Sequence, residues 1–358
     1  MRIVSPLLKH VVYPGLGKTG HLRWRRGATP AVLTYHGLLP VQYCPRDVVL
    51  DGHLITADRF RAQLRVVRSK YNVISPEEFR LWCDSQVALP PRSVLLTCDD
   101  GLLNTLTDML PVIREFNVPF LFFVTAASTS ERLSMLWYEQ LYLWLLQAGE
   151  TVSLQMPWRD QPYTAKTLLQ KRSLWQRLLK ELSALDATAR EAALDEVRIQ
   201  IGISESWLAE YSQNEPSRRR FFMLNRSELQ QLAYEGITIG AHTFSHPMLS
   251  QMSEPVAWRE ISGSRAQLAK ALGREMWAFA FPFGTSQAVT GRDVELAKRA
   301  GFTCAFMNSE SSLGHDNFHL PRIHVSAGMG LAELEAHLCG LHRSLHQKYA
   351  EALGRSIA

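Results

Sequence analysis

The chain has little charge: only 20% of its 358 residues are Asp, Glu, Lys or Arg, against 46% hydrophobic residues. That balance excludes a disordered polyelectrolyte and leaves enough apolar material for a sizeable core, in one enlarged domain or one domain with an inserted segment. Long hydrophobic runs are missing too. Those near Leu95 and Phe120 fall well below the ~20 apolar residues a membrane span needs, so no transmembrane helix is predicted. Cysteine is scarce and unpaired in spacing: five residues, at positions 44, 83, 98, 304 and 339. An odd number without close pairs speaks against a disulfide framework and suits a reducing compartment.

Acidic residues are absent from Met1 to Gly27, which carries Arg2, Lys9, Lys18, Arg23, Arg25 and Arg26. Its apolar stretches are too broken for a secretory signal. A cytoplasmic address is therefore expected. The segment, with Leu7, Leu8, Val11, Val12 and Tyr13, either rests on the anionic inner face of a membrane or packs on the folded domain. The net charge of +5 is modest. Its densest basic run, Arg218-Arg219-Arg220, reads as a solvated face or as a contact for anionic lipid or a polyanionic glycan. No nucleic-acid module accompanies it, so nucleic acid is not an expected partner.

Strand and helix signals alternate as βα units, which predicts a parallel sheet with helices outside. Strands are predicted at Val32 to Thr34, Val94 to Thr97, Phe120 to Val124, Ile237 to Ala241, Met276 to Phe281 and Gly301 to Met307. Helices are predicted from Ala57 to Lys70 after Thr56, from Thr105 to Phe116 with a kink at Pro111, and from Asn225 to Tyr234. Three more run from Pro255 to Leu272 with Glu260 and Arg265 exposed, from Arg292 to Ala300, and from Leu331 to Ala352. Between them, residues 131–222 read as a helical insertion, with helices at Leu133 to Leu146, Lys166 to Ser183 and Ala187 to Ile201. Its aromatics Trp137, Tyr138, Tyr142 and Trp144 either stack on sugar rings or form a hydrophobic interface. In the last helix, His337, His342 and His346 have irregular spacing and no evident carboxylate partner.

The chemistry concentrates in two fragments, Thr97-Cys98-Asp99-Asp100-Gly101 and His242-Thr243-Phe244-Ser245-His246-Pro247. Asp100, His242 and His246 form a nitrogen-and-oxygen ligand set that suits a divalent ion with an open water position. Histidines four apart can aim at one ion if the backbone turns there. Asp99 stays free as a base beside the metal-bound water. Each fragment closes a predicted strand, and active sites of barrels and open α/β sheets gather at the carboxyl ends of strands. Such a set is a hydrolase design.

These fragments, with Phe279-Ala280-Phe281-Pro282-Phe283-Gly284, resemble the motifs of the polysaccharide deacetylases (carbohydrate esterase family 4, the NodB homology domain). The third fragment is similar to the Phe-Ala-Tyr-Pro-Tyr-Gly form of exopolysaccharide-associated members. Flanking text agrees at Leu33 to Gly37, Phe60 to Leu64, Pro119 to Val124 and Leu320 to Ile323, so the likeness spans residues 31–326 apart from the insertion. It implies a deformed (β/α) barrel of seven or eight strands. The domain plan is a basic segment 1–30, a catalytic domain 31–330 interrupted by 131–222, and a C-terminal helix 331–358.

The resemblance also implies that Asp99 is the general base and that Asp100, His242 and His246 hold the metal, expected to be Zn²⁺, with Co²⁺, Ni²⁺ or Fe²⁺ compatible. Phe281, Pro282, Phe283 and Gly284 are then candidate substrate contacts. Two departures stand out. The arginine that many members place in the third motif is replaced by Ala280, and Arg322 is the candidate to grip the base carboxylate instead, against the reading of an ordinary surface ion pair. The Leu-x-His motif that supplies the general acid is missing. His319 and His324 lie near its place, and His36, closing the first strand, either positions water or sugar or fills a buried hydrogen-bonding role. The implied activity is removal of N-acetyl groups from amino sugars of a polysaccharide or glycolipid. The rival readings are a metal-dependent esterase or other C–N hydrolase, and a glycan-binding protein on a degenerate frame.

Overall fold

The computed structural model of the chain describes residues 8–18, 22, 29–85, 87–310 and 316–345. Ten strands follow one another among them: β1 (Ala31–Tyr35), β2 (Asn72–Val73), β3 (Ser93–Cys98), β4 (Leu121–Val124), β5 (Val152–Leu154), β6 (Tyr163–Ala165), β7 (Thr238–Ala241), β8 (Ala278–Ala280), β9 (Cys304–Phe306) and β10 (Ile323–His324). Eight form one curled sheet in the order β10-β1-β3-β4-β7-β8-β9, with β2 beside β3. Every pairing in it is parallel. A bridge between Phe306 and Leu320 joins the β9 edge to the segment that enters β10. This is the deformed (β/α) barrel that the sequence predicts.

Side chains alternate between two cores, as the two-residue period of a strand requires. Val94, Leu96 and Cys98 of β3 and Phe122 and Val124 of β4 face the surrounding helices. Leu95, Leu121 and Phe123 point into the barrel with Ala278, Ala280 and Phe306. Strands covered on both faces read as continuous apolar runs, which is why they were legible. The helix Ala57–Lys70 opens where predicted, with Thr56 accepting from the Arg59 amide. The predicted helix from Thr105 is instead a π-helical turn, Thr105–Met109, leading into a helix Leu110–Phe116. Pro111 lacks the amide that a regular turn would use there.

The insertion contains the helices Trp137–Gln147, Leu168–Ser183 and Ala187–Gln200, two shorter ones, and a hairpin of β5 and β6. The hairpin is a correction to the all-helical reading, because strands of three residues show too little alternation to register. Tyr142, Trp144, Leu145, Leu178 and Val197 bury into a core of the insertion's own. Its aromatics are therefore mostly packed within that core, with Trp144 against Trp207.

The Arg218-Arg219-Arg220 run is not a solvated face. Arg220 is fully buried between Asp51 and Glu139, Arg219 pairs with Asp108, and Arg218 with Glu228. The expected carboxylate-free His cluster also needs correction, since Glu310 meets His337, whose ring stacks on His342. The last helix, Leu331–Leu338, breaks at Cys339 and Gly340 before residues 341–345 turn helical again. Near the other end, Tyr13 is buried against Ala336 and Cys339, and Lys9 pairs with Glu333. Arg2, Leu7, Arg23, Arg25, Arg26, His346 and the Lys18 side chain lie outside the described residues. Among the described residues no helix is long and apolar enough to cross a membrane.

Candidate metal centre

The parallel sheet brings the carboxyl ends of its strands to one rim, and the candidate residues sit there. Asp99 and Asp100 follow β3, His242 follows β7, Phe281 follows β8, His36 follows β1, and His324 ends β10. Ladder bonds continue one residue past the strands: the Asp99 amide donates to the Tyr35 carbonyl at 2.9 Å and the His242 amide to the Val124 carbonyl at 3.1 Å. The rim is locally strained. Asp100, Thr243, His246 and Phe283 all have left-handed backbone, with φ of 74°, 62°, 55° and 59°, a conformation held only where neighbouring structure over-determines it. Gly101, at φ 83°, leaves room that a side chain would take from Val124.

Asp100, His242 and His246 converge. The Asp100 Oδ1 lies 3.5 Å from His242 Nε2 and 3.2 Å from His246 Nε2, and all three residues are buried. The two histidines do not share a helical face. A turn with left-handed Thr243 and His246 swings them together instead. His242 Nδ1 donates to the Ala280 carbonyl at 2.7 Å, which turns its Nε2 toward Asp100. Burial would raise the Asp100 pKa, but hydrogen bonds from both imidazoles hold it well below the usual carboxylate range. His246 is pushed down by burial, against the pull of Asp100. Two imidazole nitrogens and a carboxylate oxygen thus face one another in a buried site, and a divalent cation fits this nitrogen-and-oxygen donor set.

Asp99 is already compensated. Arg322 is fully buried and donates from Nη1 and Nη2 to the two Asp99 carboxylate oxygens, each at 2.6 Å. Its Nε is held by the Met307 carbonyl at 2.8 Å, and its plane lies over Phe123 and Phe306. It is no surface ion pair. Burial works against the Asp99 charge, yet Arg322 and then His242 hold its pKa below the usual value.

Three imidazoles gather beside the two carboxylates. His36 lies 4.9 Å from His324 and 5.5 Å from His53, centre to centre, and its Nδ1 is buried without a partner. Burial, followed by the neighbouring His36, pushes His324 down to about 3. Burial and then Arg220 push His53 well below its ordinary value. His319 points away, toward Asp316. Of the four candidate substrate contacts, Phe283 is half-buried and touches His246 and Tyr138. Phe281 is a correction: it is fully buried against Phe279, because the strand period turns it into the core. Pro282 and Gly284 are buried in the turn.

Sequence reasoning missed His53, which sits in a loop with no strand signal; of the insertion aromatics it named, Tyr138 lies with its ring 5.2 Å from that of His246, centre to centre. It also took Glu260 as exposed, whereas Glu260 is buried and accepts from the Phe244 and Ser245 amides, both at 2.9 Å. The signal was present, since Ala257, Glu260, Ser264 and Leu268 repeat at helical spacing on the buried stripe. A groove of about 260 Å³ runs between insertion and barrel beside this turn, lined by Trp137, Gln140, Arg190, Phe244, Ser245 and His246 among others.

A family model for polysaccharide deacetylases matches residues 196–305. The Streptococcus pyogenes deacetylase PplD in complex with acetate superposes on 85% of this chain and 95% of its own, at 16% identity and a TM-score of 0.53. The fold is therefore one that this chain shares with solved deacetylases. The structure of IcaB from Ammonifex degensii aligns with 87% of this chain and 98% of its own, at 18% identity and a TM-score of 0.53. A de-N-acetylase from Aggregatibacter actinomycetemcomitans covers 86% and 98%, at 14% identity and a TM-score of 0.51. No curated protein matches the sequence. Within this deacetylase fold the family match contains His242, His246 and the Phe279 to Gly284 motif, while Asp99, Asp100 and Arg322 lie outside it and join the rim through the barrel.

Proposed function

We propose that the protein is a metal-dependent hydrolase that removes N-acetyl groups from amino sugars of a polysaccharide or glycolipid, in the manner of exopolysaccharide-associated deacetylases. The observation that carries this reading is the pairing of a buried, Arg-gripped carboxylate at Asp99 with the Asp100, His242 and His246 triad on one rim. Asp100, His242 and His246 would hold the metal, with zinc the best match to the donor set. When bound, the ion supplies Lewis-acid polarisation of the amide carbonyl and lowers the pKa of water.

The chain's own residues do the rest. Asp99 is kept ionised and oriented by Arg322, so a free lone pair on its carboxylate takes the proton of the attacking water. The water oxygen bonds to the acetyl carbon, the C–N bond breaks, and the proton held by Asp99 passes to the departing amine. His36, open to the rim, positions water or sugar. Tyr138 and Phe283 make an apolar wall beside His246 on which the acetyl group or a sugar face can rest.

Acetate release from N-acetylglucosamine oligomers tests the reading, measured beside hydrolysis of a simple aryl ester. Activity on the oligomers that chelation abolishes and added zinc restores is the expected result. Turnover of the ester alone would make the protein an esterase. Oligomer binding without turnover under several metals would make it a glycan-binding protein.

A further inference from the structure

The turn that delivers His242 and His246 is held from outside the rim. Two of its residues, Thr243 and His246, are left-handed, a conformation that persists only when neighbours enforce it. Inside the turn, the His246 amide donates to Thr243 Oγ1 at 3.1 Å. Outside it, the buried Glu260 accepts from the Phe244 and Ser245 amides at 2.9 Å and from Ser245 Oγ at 2.5 Å. The insertion completes the clamp. Arg190, 3% exposed, donates to Ser245 Oγ and lies over the Trp137 ring, and Trp137 Nε1 donates to the His246 carbonyl at 3.2 Å.

We propose that Glu260, together with Arg190 and Trp137 of the insertion, positions the His242–His246 turn for metal binding, so that docking of the insertion and metal affinity are coupled. This rests on the reading of Asp100, His242 and His246 as metal ligands. None of the three clamp residues belongs to the Asp100, His242 and His246 set. They act through the backbone and hydroxyl of the turn, so the insertion is a wall of the metal site as well as a cover. Coupling of this kind is reciprocal: what the insertion does for the metal, the metal does for the insertion.

The test is zinc affinity, measured by competition with a chelator on wild type, Glu260→Gln, Arg190→Met and Trp137→Phe. Partners that orient a metal ligand are worth roughly 10–100-fold in affinity, and a loss in that range is expected for Glu260→Gln and Arg190→Met, with a smaller one for Trp137→Phe. Should Glu260→Gln fail to fold, the other two variants decide. Zinc is also expected to slow amide hydrogen exchange in the helix Ala187–Gln200 of the wild type. Wild type that binds one zinc while all folded variants bind it within twofold overturns the clamp and leaves the metal reading intact. Wild type that binds no zinc overturns both.

Discussion

Arg322 and Asp99, 223 positions apart, form a two-pronged ion pair in which both hydrogen bonds measure 2.6 Å and neither partner is open to solvent. The Phe279–Gly284 segment has Ala280 and no arginine, and Arg322 is the guanidinium that meets Asp99. A planar fork is needed to hold both oxygens at once, and lysine cannot supply it. Arg322→Lys is therefore expected to lower acetate release by roughly 10²-fold, the cost of a misplaced catalytic group. Arg322→Met leaves Asp99 buried and uncompensated, so its pKa rises and the acid limb of the pH–rate profile moves to higher pH. An unmoved acid limb would remove Asp99 from its role as the titrating base.

Arg220 makes a separate buried cluster, with Nε on Asp51 at 2.8 Å and Nη2 on Glu139 at 2.8 Å. It ties the insertion to the loop that carries His53. Removing one member of a buried ion network strands the others, typically at a cost of about 3–5 kcal/mol. Arg220→Met should lower stability by that order in urea unfolding. A loss below ~1 kcal/mol would mean that water or a rearranged partner takes the place of the guanidinium.

Acid sensitivity has a defined sign. His324 stays neutral in the folded chain down to about 3, whereas its ordinary value is 6.5. The unfolded state therefore binds more protons between those limits, and stability falls as pH drops through that window. His53, also depressed, acts the same way. Asp99 and Asp100, held below the ordinary value of 3.8, contribute stability that is lost only at still lower pH. Urea midpoints at pH 7 and pH 5 should thus differ more for wild type than for His324→Gln. Equal differences would show that His324 titrates normally in the folded state.

Gly284 closes the third motif at φ 55°, and a Cβ there would fall 2.2 Å from the Asn308 amide nitrogen. Gly284→Ala is expected to displace the turn that carries Phe283, and so both to lower thermal stability and to raise KM for oligomers. Unchanged KM would separate Phe283 from substrate binding.

The barrel was legible because its strands are buried on both faces and its helices carry clear starts, as at Thr56 and Asn225. The ligand set was legible because its residue types and strand-end placement state their chemistry locally. Arg322 was legible only through the missing third-motif arginine. Other features depend on what packs where. Glu260 looked exposed because a carboxylate on a helix usually is, and its partners are backbone amides that no side-chain pattern records. Arg218-Arg219-Arg220 looked like a charge run because its four acidic partners, Asp108, Glu228, Asp51 and Glu139, come from separate parts of the chain. The β5–β6 hairpin is too short to show a period.

Zinc stoichiometry of Asp100→Asn, determined beside Asp99→Asn with acetate release recorded on the same samples, tests the central claim most directly. Asp99→Asn should keep one zinc per chain and lose activity by roughly 10²–10⁴-fold, the usual contribution of a general base, while Asp100→Asn should lose the zinc itself. Full zinc occupancy in Asp100→Asn, or wild-type acetate release from Asp99→Asn, would contradict the account.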